Sequence, residues 1–299
     1  MPRSNLRLYV IYPKEIEESS FFWDKVYEGT EKAKEELEQF GVKVEYIFSR
    51  YNNVHRQAQI LSQVINQKPD GIAIVPTSTT ELNLLIDEAV DNDIPVVAFL
   101  NDAPYSKRFC YVGPDNYSSG RLCGELMGNY LSGKGNVVIF SASNEVYSLK
   151  QRLVGFRDKI KSSYPEIKIL KTMDYSANED LCYSYAIDEL QKNTEIDGIF
   201  ITCAAGTIAL GRVLDELKPS LLPKVIGYDP NERVAKYVSD GIINALIYQD
   251  LFTQGYMSLK VLYNYLSSGL VPKGENLYTN IQIVMQENLE NFIDGDKER

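Results

Sequence analysis

Apolar residues along this chain follow two rhythms. Short unbroken apolar runs alternate with longer stretches in which apolar positions recur at helical spacing. The clearest run is Asp70-Gly71-Ile72-Ala73-Ile74-Val75-Pro76, and it is echoed by Asp197-Gly198-Ile199-Phe200-Ile201-Thr202. Each copy leads through a helical pattern to a second run after a proline, Ile94-Pro95-Val96-Val97-Ala98-Phe99 in one case and Leu222-Pro223-Lys224-Val225-Ile226-Gly227-Tyr228 in the other. A strand that is apolar without alternation is covered on both faces, and a strand, helix and strand in succession make a β-α-β unit with parallel strands. The duplicated unit predicts an α/β fold of two doubly wound parallel-sheet lobes, with a ligand in the cleft between them.

In chain order the pattern predicts strands at 6–12, 42–48, 71–75, 95–100 and 110–113, with helices at 19–40, 54–66 and 80–89. A helix at 115–130 opens a second series, with strands at 136–141, 167–172, 197–202, 224–228 and 243–248. Its helices lie at 147–162, 178–191, 207–217 and 231–238. The helix over 252–270 has no partner in that series and is expected to return to the first lobe, and a last strand is expected at 279–284. The lobes implied are residues 1–114 plus 250–278 and residues 115–249 plus 279–299, joined by a hinge of three crossovers.

Composition narrows the function class. The chain of 299 residues has a formal net charge of -10 and no Lys/Arg-rich run, so phosphate backbones and anionic membranes are poor partners. No apolar run is long enough to span a bilayer, and the opening MPRSNLRLYVIYP lacks a secretion-signal pattern; the protein is cytoplasmic, or residue 1 follows a removed signal or anchor.

Cys110, Cys123, Cys182 and Cys203 never form a C-x-x-C pair, and they read as small core residues rather than disulfides or zinc ligands. His55, the single histidine, stands in the polar opening of a helix and reads as a surface residue. With no nucleophile–base pair in view, the chain reads as a binder and not an enzyme, with no cofactor and no metal. The stretch from Gly128 to Gly135 fits G-x-x-x-x-G-K, but it ends a helix and lacks the following Ser or Thr, so it is a helix stop and a turn.

Ligands of α/β lobes sit beyond the carboxyl ends of strands, which selects residues 19–23, 100–102, 174–175, Asp229 and Gln249. Aromatic rings there cover sugar C–H faces, and carboxylate, guanidinium and amide groups satisfy hydroxyls. Two readings stand for several of them. Phe21 and Phe22 are either ring-stacking groups or the buried side of the first helix; Asp229 is a ligand contact or a helix N-cap; Arg152 is a contact or a surface ion pair.

The phrases SSFF, PDGIAIVP, IPVVAFLNDAP, YVGPDNYSSGRLCGELM, QRLVGF, VIGYDP and ALIYQD, in this order and spacing, resemble the type I periplasmic sugar-binding proteins, ribose and xylose binders, and the related effector domains of LacI-type repressors. The resemblance covers almost the full chain. It implies two hinged lobes that close over one sugar, with ring-stacking aromatics at Phe21 and Phe22 and a ring-covering aromatic at Tyr175. It further implies hydroxyl-binding groups at Arg152, Asp229 and Gln249.

Departures fall at Ser19, at Leu100-Asn101 with Asp102 following, and at Ala205, where ribose binders carry asparagine, an Asp-Arg pair and asparagine. Ser19, Asn101, Asp102 and Ala205 therefore complete the expected ligand-contacting set, and the loss of polar partners points away from ribose and toward another pentose, xylose first. Only five residues precede Leu6, so the chain as given has no room for a repressor's DNA-reading module. The resemblance implies an extracytoplasmic sugar receptor, membrane-anchored in its full-length form, whose partner is a transporter permease or the sensor domain of a histidine kinase. A cytoplasmic effector domain of a LacI-type regulator is the alternative.

Overall fold

The computed structural model describes residues 5–13, 21–49, 53–78, 80–142, 146–193 and 195–293. The chain forms two compact units, one made of residues 1–114, 145–147 and 250–280, the other of residues 115–144, 148–249 and 281–299.

The first unit holds β1 (Arg7–Pro13), α1 (Phe21–Glu38), β2 (Lys43–Ser49), α2 (Val54–Asn66), β3 (Gly71–Ile74), α3 (Thr80–Asp91), β4 (Val96–Phe99) and β5 (Cys110–Gly113). The second runs from α4 (Asn116–Tyr130) through β6 (Lys134–Ser141), α5 (Tyr147–Ser163), β7 (Glu166–Asp174), α6 (Glu179–Lys192) and β8 (Gly198–Ile201). It continues with α7 (Ala204–Leu217), β9 (Lys224–Tyr228), α8 (Glu232–Ser239) and β10 (Ala245–Gln249). The long α9 (Leu251–Ser268) and β11 (Asn276–Tyr278) belong to the first unit, and β12 (Ile281–Val284) and α10 (Glu290–Ile293) to the second.

The first sheet has the order β11-β5-β4-β3-β1-β2 and is parallel throughout. Its apolar runs serve two faces at once. Leu8, Val10 and Tyr12 of β1 pack with Val26, Leu37, Leu259 and Leu262 under α1 and α9, while Tyr9 and Ile11 pack with Leu61, Val64, Leu82 and Ile86 under α2 and α3. An alternating strand would have left one face polar, so the unbroken runs and the two helical layers are one fact. The second sheet has the order β12-β10-β9-β8-β6-β7, the same winding with one difference: β12 runs antiparallel to β10. Val137, Ile139, Phe200 and Ile226 form its core with Cys123, Met127, Leu153 and Phe156 of α4 and α5.

The expected last strand at 279–284 is β12, shortened to residues 281–284, and β11 at residues 276–278 was not expected. Residues 276–278 pair with β5 of the first sheet and residues 281–284 with β10 of the second. Thr279 and Asn280 lie between the two ladders. Three residues, of which only Leu277 is even partly buried, carry too little spacing to announce β11. The four thiols are free; Cys110, Cys123 and Cys182 are buried and Cys203 is half-buried. His55 lies on the surface, with its Nδ1 3.1 Å from Glu81.

Helices α1 and α9 meet backbone to backbone. A Cβ on Gly29 would stand 2.1 Å from the carbonyl oxygen of Phe252, closer than any real contact. Gly29→Ala is expected to cost roughly 1–3 kcal/mol in urea unfolding, the usual range for overpacking. Gly274→Ala, whose added methyl meets nothing within 4 Å, should be close to neutral, and equal effects at the two positions would show that this close approach is not what holds the pair together.

Candidate ligand-binding site

The polar residues of the second unit gather at the carboxyl ends of three adjacent parallel strands, β8, β9 and β10. Asp115 caps α4 by accepting from the Ser118 N–H at 3.0 Å, and this fixes Asn116 as the first helical residue. The face of α4 that carries Asn116, Ser119, Gly120 and Cys123 follows helical spacing and is buried. A Cβ on Gly120 would lie 2.1 Å from the Arg152 carbonyl oxygen, so α4 and α5 touch through their backbones beside Arg152.

Arg152 is 3% exposed. Its Nε donates to Asn116 Oδ1, its Nη1 to the Thr202 carbonyl and its Nη2 to Gln249 Oε1, each at 2.8 Å. These bonds engage three of the five guanidinium N–H groups. The flat cation lies over the Tyr228 ring, 4.0 Å from its centroid.

Gln249 passes the order on. With its Oε1 held by Arg152, its Nε2 donates to Asp229 Oδ1 at 2.8 Å. Asp229 follows β9 with φ 63°, a left-handed conformation that aspartate tolerates better than most residues. Burial raises its carboxyl above the ordinary aspartate value, against the Arg152 charge and the N–H groups of Gln249 and Ala204 that draw it down. The Ala204 N–H belongs to the first turn of α7, so Asp229 also faces a helix N-terminus. Ala205 is the next residue of that turn, and Cys203 is its N-cap.

Tyr175 does not stand where the resemblance put it. It is fully buried, and its hydroxyl shares a hydrogen bond with the Cys203 Sγ at 3.2 Å while the ring packs beneath α7 at Gly206. An aromatic residue after a strand is read as exposed only if helices from elsewhere in the chain leave it room, and here a glycine lets α7 close over it.

In the first unit Phe21 and Phe22 open α1 and are half-buried. Phe22 packs against the core and meets Trp23 edge-on at 5.0 Å, and Trp23 stacks on Tyr12 at 5.7 Å. Lys25 lies 6.0 Å over the Phe21 ring. Ser19 falls outside the described residues. Leu100 takes φ 62°, and Asn101 beyond it is 8% exposed.

Asp102 departs from the expected role of ligand contact. Both its oxygens are held by Arg108, through Nε and, at 2.9 Å, through Nη2, and its Oδ1 also accepts the Ala103 N–H at 2.7 Å. Arg108 in turn donates to the Glu275 carbonyl at 2.9 Å and Asn276 Oδ1 at 2.8 Å, so the pair ties the loop after β4 to β11. Arg108, Asn116, Thr202 and Tyr228 were not singled out from sequence. The one signal available was the small, polar face of α4, in which Asn116, Ser119, Gly120 and Cys123 recur at helical spacing.

Residues 13–270 match the family model of the periplasmic binding protein domain. The chain belongs to that family. A xylose/arabinose-binding protein of Sulfolobus acidocaldarius is 23% identical over 248 residues, which cover 78% of this chain and 61% of the relative. A carbohydrate transporter solute-binding protein of Agrobacterium radiobacter, solved in complex with D-arabinose, superposes with a TM-score of 0.87 at 26% identity and covers 96% of both chains. The chain in a XylFII–LytSN complex, at 23% identity and a TM-score of 0.83 over 96% of this chain and 99% of its own, shares the fold. Among the described residues of this periplasmic binding protein, no helix is long and apolar enough to cross a membrane, and no group of His, Cys, Asp and Glu is arranged to hold a metal ion.

The Asp102–Arg108 pair supplies its own test. Arg108→Met strands a buried carboxylate and is expected to cost about 3–5 kcal/mol in urea unfolding, whereas Asp102→Leu combined with Arg108→Met should recover most of that loss. A single variant as stable as the wild type would mean that the pair does not hold the loop.

Proposed function

We propose that this protein is a reversible receptor for a monosaccharide, a pentose such as xylose or arabinose, acting outside the cytoplasmic membrane and tethered to it in the full-length protein. The observation that carries the reading is the linked set Arg152, Gln249 and Asp229, an arginine, an amide and a carboxylate ordered in advance by hydrogen bonds of 2.8 Å at the carboxyl ends of adjacent strands. Such a set offers charge-assisted donors and acceptors to neighbouring hydroxyls without first having to be ordered, and that lowers the cost of binding. In this reading Arg152, Asp229 and Gln249 contact the sugar, and Ala205, in the first turn of α7, borders it. Relatives that bind xylose, arabinose or D-arabinose point to the same substrate class.

The chemistry is binding and release. Nothing in the set pairs a nucleophile with a base, so the sugar leaves unchanged. Ligand binding shifts the protein between conformations, and a membrane partner reads the loaded one: a transporter permease, or the sensor domain of a histidine kinase.

Thermal unfolding against D-xylose, L-arabinose, D-arabinose and D-ribose tests the reading. Ligand at about 100 times its dissociation constant adds about 2.7 kcal/mol to the folded state, a rise of several degrees. Arg152→Ala and Asp229→Ala should each weaken the binding at least roughly tenfold, the effect of leaving a charge-assisted bond unmade. No rise with any sugar, or unchanged affinity in both variants, would overturn the receptor reading.

A further inference from the structure

Arg152 has a support that is itself buried. Tyr228 is 1% exposed, at the end of β9, with its ring beneath the guanidinium. Its hydroxyl shares a hydrogen bond of 2.7 Å with Ser119 and receives one of 3.6 Å from the Cys123 thiol. Burial pushes that thiol up to about 12, so its proton stays in place to be donated. The ring tilts against Phe200, 6.4 Å away, and Phe200 stacks on Phe156 at 4.2 Å. Tyr228 is therefore held at both ends, by α4 at its hydroxyl and by aromatic packing along its edge.

A guanidinium is planar, so a ring 4.0 Å from its central carbon limits how that plane can tilt, and acceptors at its edge fix its rotation within the plane. Here the edge acceptors are Asn116 Oδ1, the Thr202 carbonyl and Gln249 Oε1. The ring thus determines where the Arg152 donors point, Arg152 determines which end of the Gln249 amide faces it, and Gln249 presents its N–H to Asp229.

We infer that Tyr228 is a positioning residue for ligand binding: it sets the plane of Arg152 and, through Gln249, the presentation of Asp229. The inference rests on the receptor reading given above and extends it to a residue remote from the sugar. Ser119 belongs to the same device, because it anchors the phenol.

A double-mutant cycle with D-xylose and D-arabinose, read by calorimetry, tests it. Tyr228→Leu is expected to weaken binding about tenfold, the size of a desolvated cation–π contact. Tyr228→Phe keeps the ring and should retain affinity within about threefold, because it removes only the neutral hydrogen bonds that anchor the phenol. In an Arg152→Ala background Tyr228→Leu should cost no more than about a further twofold, because its route to the ligand is already gone. A loss in that background equal to the loss in the wild type would make Tyr228 an ordinary core residue and overturn the inference, as would wild-type affinity in Tyr228→Leu.

A second measurement needs no sugar. In unliganded protein the Arg152 Nε–H resonance should differ from its position in Tyr228→Leu and be kept in Tyr228→Phe. The same position in the wild type and in Tyr228→Leu would overturn the inference. A ring-dependent resonance in a protein that binds none of the sugars would leave the positioning role intact and defeat the receptor reading instead.

Discussion

A cation withdrawn from water is the constraint on which the second unit is built. Arg152 keeps 3% of its surface exposed, and the cost of removing an ion from water is several kcal/mol unless the protein replaces what water supplied. The replacement draws on much of the unit. Helix α4 gives Asn116, the end of β8 gives the Thr202 carbonyl, β10 gives Gln249, and β9 gives the Tyr228 ring. Moving any of these elements leaves a donor unpaired or a face uncovered, so the sheet order, the backbone contact at Gly120 and the orientation of the guanidinium are coupled. For the proposed receptor this coupling has a use: the groups proposed to meet the ligand are ordered before it arrives, and binding energy is not consumed in ordering them.

The first unit solves a related problem in a different way. Leu100 follows β4 as Asp229 follows β9, and both take the left-handed conformation, at φ 62° and 63°. Aspartate adopts that conformation readily, whereas leucine does so at a cost of about 1–2 kcal/mol, which its burial in the core offsets. The two units thus share the backbone bend and differ in the side chain on it. In the second unit the bend presents a carboxylate, while in the first it presents an apolar group, and the neighbouring carboxylate, Asp102, is bound by Arg108. The polar character of the two bends therefore differs although their backbones agree.

Much of the candidate site was legible before the structure, though unevenly. Arg152, Asp229 and Gln249 could be singled out because each stands at a strand end or helix start whose place in the repeat is visible in the pattern and in the family phrases, and in the structure they form one hydrogen-bonded set. The burial of Tyr175 was not legible because whether a residue beyond a strand is open or covered depends on how closely a helix from elsewhere in the chain approaches, and here α7 closes over it at Gly206. Asp102 was misplaced because its partner, Arg108, lies within the irregular stretch between β4 and β5, where no periodicity predicts who meets whom.

What the sequence by itself determined was the fold: the runs, the helical spacings and their repetition fix strand and helix identity, both covered faces of each sheet, and two units of like winding. Those are consequences of short-range periodicity and burial, which are written along the chain. What only the tertiary structure decided was which polar groups satisfy one another. Asn116, Arg152, Thr202, Asp229 and Gln249 are far apart in sequence and come together because parallel strands with crossover helices bring every carboxyl end to the same edge. The strand at 276–278 belongs to the same class of fact: it is short and mostly exposed, and only the edge it finds at β5 makes it a strand.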